Sequence, residues 1–414
     1  MAARPPDEKP AGSASPRRPP WSSAEIILLA AVSLLLPLLV FIATPLNEHN
    51  GGRDADGVHY AAMADTLAAD SADARAAPFC WRILTPWLAS VLPLPPLASF
   101  RLLAGVASVL SLLLLYDVLR SMPTSPPVRF FGLLLYAGVF WALKFSFYSP
   151  FYIDAETQAF LLLVLSLMVR GRFLLIAILL PIAVLQKESL LALAPVVFAH
   201  YAADTTDERR RRLRLLAALV LPAIVALLIV RGAIEPSNSY SSARAFLGSI
   251  GQLRHVTVWP RFVAEIFSGL GILPAVLLLL ASHARRFLLS HRSWALHLSI
   301  GAVLLFGGPE KARFFLFMLP GLIVVVADSL QSSAAATETR VLLWMTAVVL
   351  LQFYVGHHFT PMGTFADYRQ RMVPIHSPES VLPSLVRGVT PNVLAFALGS
   401  LMLRGAMRAR LARR

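Results

Sequence analysis

The sequence predicts an all-α membrane protein that crosses the bilayer many times. Of its 414 residues, 57% are hydrophobic and only 14% are charged, and the mean hydropathy is +0.66. A water-soluble globule of this length cannot bury so much apolar surface. Apolar runs long enough to cross roughly 30 Å of hydrocarbon recur along almost the whole chain. We therefore predict one polytopic domain with about 11 to 12 transmembrane segments.

The first apolar run predicts a retained anchor and sets the domain limits. EIILLAAVSLLLPLLVFIAT at 25–44 lacks a small-residue cleavage site of the kind that ends a signal peptide. The preceding residues 1–24 are rich in Pro, Ala and Arg and predict a disordered cytoplasmic tail. Residues 25–405 form the predicted transmembrane domain, and 406–414 form a basic cytoplasmic tail.

Arginine-rich short segments predict the orientation. DERRRRLR at 207–214 and HARRFLLSHR at 283–292 are expected to stay on the cytoplasmic side, together with the N-terminus. The net charge of +14 therefore reflects topology and contact with membrane lipids, and predicts no nucleic-acid partner. Cys80 is the one cysteine, which excludes an intrachain disulfide framework.

The apolar segments are expected to cross the membrane in alternating directions. Segment 173–201 breaks this pattern because it begins and ends on the cytoplasmic side. Gln186-Lys187-Glu188-Ser189 lies in its middle. The segment predicts two short half-helices with Lys187 and Glu188 at the turn. Irregular backbone at that depth is tolerated only when it is buried in protein or lines a wet cavity.

The remaining ionisable groups fall on the opposite, outer side. Such groups at helix ends are costly, so their convergence on one face predicts a functional cleft there. Arginine and lysine on that face predict an anionic ligand, with a lipid phosphate as the natural candidate. The candidate residues are Asp54, Asp56, His59, Tyr60, Arg82, Asp154, Glu156, Lys187, Glu188, Glu310, Lys311 and Arg313.

Each acidic candidate has more than one possible role. Asp56 precedes a helix-compatible stretch with His59 and Tyr60 on the same face, so it is either a helix cap or a general base. Asp54 is the alternative base, and a pair of carboxylates here could instead hold a divalent metal. Asp154 and Glu156 begin a helix, where they either complement the dipole or add a carboxylate to the cleft.

Two motifs carry a family resemblance. DGVHYAAMA at 56–64 follows the first membrane helix, and APFCWRILTPWLA follows at 77–89. With the many crossings and the outer polar face, this pattern resembles the GT-C superfamily of polyprenyl-phosphate-sugar-dependent membrane glycosyltransferases. More narrowly, it resembles an uncharacterised group of bacterial membrane proteins with a DGxxY element in the first loop.

The resemblance implies roles for the candidate residues. Asp56 corresponds to the catalytic acid of the first loop, with Asp54 as its alternative. The residues assigned to the donor phosphate are Arg82, Lys187, Arg313 and Lys311. The residues assigned to the substrates are His59, Tyr60, Asp154, Glu156, Glu188 and Glu310. An amphipathic helix is expected in the first outer loop.

The expected function is transfer of a hexosyl or pentosyl group from a polyprenyl-phosphate carrier to a lipid or glycan acceptor. The site would face the periplasm from a bacterial inner membrane and serve the cell envelope, with no required cofactor but with a divalent metal possible. A lipid-linked glycan ligase or polymerase is one alternative. A transporter or flippase for an anionic lipid is another, because transporters also use broken helices. The chain has no Walker motif and no GxGxxG motif that would favour nucleotide use.

Overall fold

The computed structural model describes residues 21–65, 71–203, 209–256, 258–307, 311–333, 339–359 and 381–412. Within these ranges the regular elements are helices and no strand occurs, so the predicted all-α class is confirmed. Glu310 and the predicted N-terminal tail through residue 20 lie outside the described residues. The predicted C-terminal tail begins inside the last helix, which continues to Ala412.

Eighteen α-helices are numbered here in chain order within the described ranges. They are α1 Ser23–Ala43, α2 Asp56–Asp65, α3 Leu84–Val91, α4 Pro96–Arg120, α5 Pro126–Ala137, α6 Lys144–Tyr148, α7 Asp154–Val169, α8 Phe173–Gln186, α9 Leu193–Ala203, α10 Arg209–Ala233, α11 Ser242–Gln252, α12 Val258–Leu270, α13 Leu273–Leu279, α14 Ala281–Ser290, α15 Arg292–Leu304, α16 Lys311–Ser333, α17 Thr339–Val355 and α18 Val381–Ala412.

Several helices have the length and composition of membrane spans, as expected for a multi-pass membrane protein. By these criteria four qualify among the described residues: α1, α4, most of α10 and most of α16. The pair α12 and α13 qualifies as one span bent by 88°, and five apolar helices are shorter. Helix α1 exposes Ile27, Leu39 and Ile42, as a lipid-facing helix does. The total of 11 to 12 crossings stays a prediction.

Local sequence explains where the long helices begin. Ser22 caps α1, because its side chain accepts a hydrogen bond from the Glu25 backbone N–H at 3.1 Å. Pro96 and Pro126 stand in the first turns of α4 and α5, where the missing N–H of proline costs no intrahelical hydrogen bond.

One end of the bundle is held by two ion pairs, and we call it the N-terminal face because α1 begins there. Arg129 Nη1 lies 2.8 Å from Glu25 Oε1, with both side chains under a tenth exposed. Arg170 Nη2 lies 2.6 Å from Asp117 Oδ1. These contacts gather the starts of α1 and α5 and the ends of α4 and α7.

Removing one partner of the first pair should destabilise the fold. Arg129→Ala leaves the Glu25 carboxylate buried without its cation, which typically costs about 3–5 kcal/mol. We expect that loss in the free energy of unfolding, measured by denaturant titration in detergent. Affinity for any ligand at the opposite face should stay unchanged; a large change in that affinity would contradict the separation of the two faces.

The opposite end of the bundle, here called the site face, is reached by α7 and α8. Helix α7 is 16 residues long, or roughly 24 Å at the usual rise, so its first residue Asp154 is far from Arg170. Helix α8 returns from Phe173 and ends at Gln186, where Lys187 takes an extended conformation before a 3-10 turn at Glu188–Ala192. The predicted break at Lys187 and Glu188 is therefore confirmed.

A second break, between α12 and α13, depends on Gly271. Its φ of +61° is in the left-handed region, and a Cβ there would lie 2.4 Å from the side-chain amide of Gln352. Gln352 Oε1 accepts the Ile272 N–H at 2.7 Å, and Asn392 Nδ2 donates to the Gly271 carbonyl at 2.9 Å. The bend is thus closed by hydrogen bonds from α17 and α18.

Gly271→Ala should lower the free energy of unfolding by roughly 1–3 kcal/mol through overpacking, in addition to backbone strain. Gly171→Ala is the matched control, because Gly171 has a φ of +70° but nothing within 4 Å of its Cβ position. The difference between the two variants, measured by thermal unfolding, isolates the clash with Gln352. Equal losses would mean that Gln352 moves aside without cost.

Candidate active site

The first loop presents two acidic residues in different environments. Ala55 has a φ of +39°, and the Gly57 N–H donates to the Asp54 carbonyl at 2.7 Å, so the chain turns sharply into α2. Asp54 is buried at 3% exposure, whereas the side chain of Asp56 is 26% exposed. The predicted loop helix is present, and its inner face buries Tyr60 and two alanines. Asp56 is therefore the acid that meets solvent.

Arg313, in the first turn of α16, joins this acid to the start of α7. Its Nη1 lies 2.9 Å from Asp56 Oδ2, while its Nε and Nη2 lie 3.0 and 2.8 Å from Asp154 Oδ2. Lys187 Nζ donates to the other oxygen of Asp154 at 2.9 Å. Asp154 is only 4% exposed at its side chain, so this buried carboxylate is satisfied by two cations.

A second ion pair joins Arg82, in the second motif, to Glu188 at the break after α8. Arg82 Nε donates to Glu188 Oε2 at 2.9 Å, and its Nη1 donates to the Tyr60 hydroxyl at 3.0 Å. Burial alone would lower the pKa of Arg82, but the Glu188 carboxylate and these hydrogen bonds raise the pKa above its ordinary value. Burial also raises the pKa of Tyr60, so this phenol stays neutral.

The three cations border a single cavity of about 220 Å³ at the site face. Its lining residues are Asp56, Pro78, Phe79, Arg82, Lys187, Tyr240, Ala245, Gly307, Arg313 and Phe314. Burial lowers the pKa of Lys187; the Asp154 carboxylate opposes this shift, and the positive charges of Arg82 and Arg313 add to it. Arg82, Lys187 and Arg313 line the same cavity, so they can act together on one ligand.

Aromatic rings lie close to the three cations. Arg313 Cζ lies 4.4 Å from the Tyr152 ring centroid, Arg82 Cζ lies 5.5 Å from that of Phe79, and Lys187 Nζ lies 5.8 Å from that of Phe314. A ring face attracts a cation, by roughly 0.5–1 kcal/mol at an exposed site. These contacts act together with the ion pairs to hold the charged groups in place.

Several other predicted residues lie outside the cavity lining. His59 stacks on Phe79 with the ring centroids 4.6 Å apart, and its Nδ1 lies 3.0 Å from the Asp73 carbonyl, so it stands behind the lining. Lys311 is 6% exposed, with its Nζ 5.7 Å from the Phe306 ring. Glu156 is buried, and neither carboxylate oxygen has a hydrogen-bond partner among the described residues.

The structure adds lining residues that the sequence did not single out. Phe79 belongs to the second motif, but Tyr240 comes from the connection after α10. That connection is fastened to the first loop, because Asn238 Oδ1 accepts the Ala77 N–H at 2.7 Å and Asn238 Nδ2 donates to the Ala77 carbonyl at 3.1 Å. The polar run EPSNSY at 235–240 was the available signal.

The arrangement has acidic and basic groups, but they are paired with each other. Within the described ranges, no group of three or more His, Cys, Asp or Glu side chains is arranged to hold a metal ion. The cavity can offer N–H donors of Arg82, Lys187 and Arg313 to an anion, and the partly exposed carboxylate of Asp56 to a proton donor.

Comparison with known proteins gives a limited likeness. No family model and no curated protein matches the chain. Among solved structures, it is similar to the archaeal oligosaccharyltransferase AglB from Archaeoglobus fulgidus, solved with an inhibitory peptide and a dolichol-phosphate. The two are 12% identical with a TM-score of 0.46, over 92% of this chain and 56% of AglB. The chain thus spans about half the length of that protein, and the functional assignment rests on the site itself.

Proposed function

We propose that this protein is a GT-C-type membrane glycosyltransferase. It transfers a hexosyl or pentosyl group from a polyprenyl-phosphate carrier to a lipid or glycan acceptor on the extracytoplasmic face of a bacterial inner membrane. The observation that carries the proposal is the cavity lined by Arg82, Lys187 and Arg313 together with the partly exposed carboxylate of Asp56. A base can take the proton of the acceptor hydroxyl, and cations can stabilise the negative charge that develops on the departing phosphate.

The cations suit the phosphate of the donor. An arginine carries five N–H donors in a planar fork that matches phosphate oxygens. Arg82 directs its Nε to Glu188 and its Nη1 to Tyr60, so its remaining edge is available to a ligand in the cavity. As the bond between sugar and phosphate breaks, negative charge grows on the phosphate oxygen, and fixed positive charge stabilises that change.

Asp56 suits the role of general base. One of its oxygens is held by Arg313, which orients the carboxylate toward the cavity. The acceptor hydroxyl would attack the anomeric carbon and give its proton to Asp56. Asp54 is less suited because it is buried below the start of α2. Tyr60, Asp154 and Glu188 then act through the cations that they contact, and His59 stacks on the lining residue Phe79. Glu156, predicted to bind substrate, lies outside the lining.

A transporter for an anionic lipid is the second candidate, favoured by the break at Lys187. Transporters bind their substrates near the membrane midplane at such breaks. Here the break lies beside Asp154, at the beginning of α7, and not halfway along it. That position favours an enzyme that works at the membrane surface, or a lipid-linked glycan ligase with a similar cleft.

A donor panel tests the proposal. The purified full chain in liposomes would receive polyprenyl-phosphate hexoses and pentoses together with extracted membrane lipids and glycans as acceptors. We expect release of polyprenyl phosphate and a product that is heavier by one sugar, detected by mass spectrometry. Nucleotide sugars are the matched negative donors. Movement of intact carrier across the bilayer, without release of polyprenyl phosphate, would instead support transport.

A further inference from the structure

The guanidinium of Arg313 lies between two carboxylates that come from separate parts of the chain. Asp56 begins α2, Asp154 begins α7, and Arg313 contacts both at 2.8 to 3.0 Å. The side chain is 11% exposed and its Cζ lies 4.4 Å from the Tyr152 ring centroid. The group is therefore held in place from three directions.

A divalent cation would need the same oxygens. Mg²⁺ and Ca²⁺ take oxygen ligands, chiefly carboxylates. Both oxygens of Asp154 are occupied, one by Arg313 and the other by Lys187, and Arg313 also holds Asp56 Oδ2. The pairs Arg82–Glu188, Lys187–Asp154 and Arg313–Asp56 already balance the charges of these six side chains. A divalent cation bound to the oxygens of Asp154 would have to displace Arg313 or Lys187, which would leave that buried positive group without its carboxylate.

We propose that the Arg313 guanidinium occupies the position of a divalent cation between Asp56 and Asp154, so that sugar transfer proceeds without a metal ion. This inference rests on the proposed function, which it deepens by naming the group that faces the departing phosphate. In the reaction the acceptor oxygen bonds to the anomeric carbon and its proton passes to Asp56. The bond between the anomeric carbon and the phosphate oxygen breaks, and its electron pair stays on that oxygen beside Arg313.

The wild-type protein provides the first test. After treatment with EDTA, turnover of the donor found in the panel should stay within twofold of the untreated rate. Mn²⁺ titration monitored by electron paramagnetic resonance measures the amount of bound Mn²⁺. That amount should be the same for the wild type and for the Asp56→Asn, Asp154→Asn double variant. Chelator inactivation reversed by Mg²⁺ or Mn²⁺, or wild-type binding lost in the double variant, would overturn the inference while leaving glycosyl transfer intact.

Arg313→Gln provides the converse test. Removal of the guanidinium leaves Asp56 and Asp154 facing one another, so we expect a new Mn²⁺ site that disappears when Asp56→Asn is added. Arg53→Gln is the matched control, because Arg53 also pairs with an aspartate of α2, Asp65, at 2.7 Å. If Arg313→Gln folds but binds no more Mn²⁺ than the wild type, the proposal that Arg313 occupies a cation position between Asp56 and Asp154 is contradicted. If that variant fails to fold, the wild-type titration still decides, and neither measurement of Mn²⁺ requires turnover.

Discussion

Asp56→Asn is expected to reduce turnover by about 10²- to 10⁴-fold, the usual contribution of a general base. The amide keeps nearly the same shape and still accepts a hydrogen bond from Arg313, but it cannot take a proton from the acceptor. The affinity for polyprenyl phosphate should change little, because the cations remain. Turnover is measured by release of polyprenyl phosphate, and affinity by titration with the carrier alone.

Asp65→Asn is the matched control for this result, since Asp65 ends the same helix and pairs with Arg53. It should leave turnover near the wild-type rate. Asp54→Asn separates the two acids of the first loop: a loss there with normal turnover in Asp56→Asn would transfer the role of base to Asp54. Wild-type turnover in both would remove the first loop from the chemistry.

Arg313→Ala is expected to weaken binding of the carrier phosphate by roughly 10- to 100-fold. A hydrogen bond to a charged group contributes about 1.5–3 kcal/mol, and about 1.4 kcal/mol corresponds to tenfold. The substitution also leaves Asp56 and Asp154 without their shared cation, which adds repulsion toward phosphate. Arg82→Ala should weaken binding in the same direction, and both are measured by titration with polyprenyl phosphate.

Arg53→Ala supplies the control, because its side chain is 39% exposed and lies outside the cavity lining. Thermal unfolding of each variant distinguishes lost phosphate contacts from lost structure. Arg313→Lys, which keeps the charge without the planar fork, should recover part of the affinity. Unchanged affinity in both Arg313→Ala and Arg82→Ala would refute the assignment of these residues to the phosphate.

The sequence was sufficient for the features that depend on composition and local order. Apolar run lengths predicted the helical membrane class, and the polar tetrapeptide at 186–189 predicted the break between α8 and α9. The ion-pair partners of the residues at that break could not be predicted from the neighbouring sequence. Lys187 pairs with Asp154, whereas its neighbour Glu188 pairs with Arg82. Neighbours at an irregular turn point in different directions, so each pairs with a different, distant part of the chain.

Helix geometry explains why only some of the predicted site residues share the cavity. Residues two apart on a helix do not face each other. Arg313 therefore lines the cavity while Lys311 lies by the Phe306 ring, and Asp154 meets the cations while Glu156 is buried elsewhere. The contact between Asp56 and Arg313 joins residues 257 positions apart, a separation across which local sequence carries no signal.

A structure of the protein with bound polyprenyl phosphate tests the central claim most directly. The account predicts phosphate density in the cavity, within hydrogen-bond distance of Arg82, Lys187 or Arg313 and beside Asp56. A competing position is an apolar groove of about 800 Å³ between α1 and α4 that is lined in part by Arg101. A phosphate bound at Arg101 with the cavity unoccupied would contradict sugar transfer at Asp56.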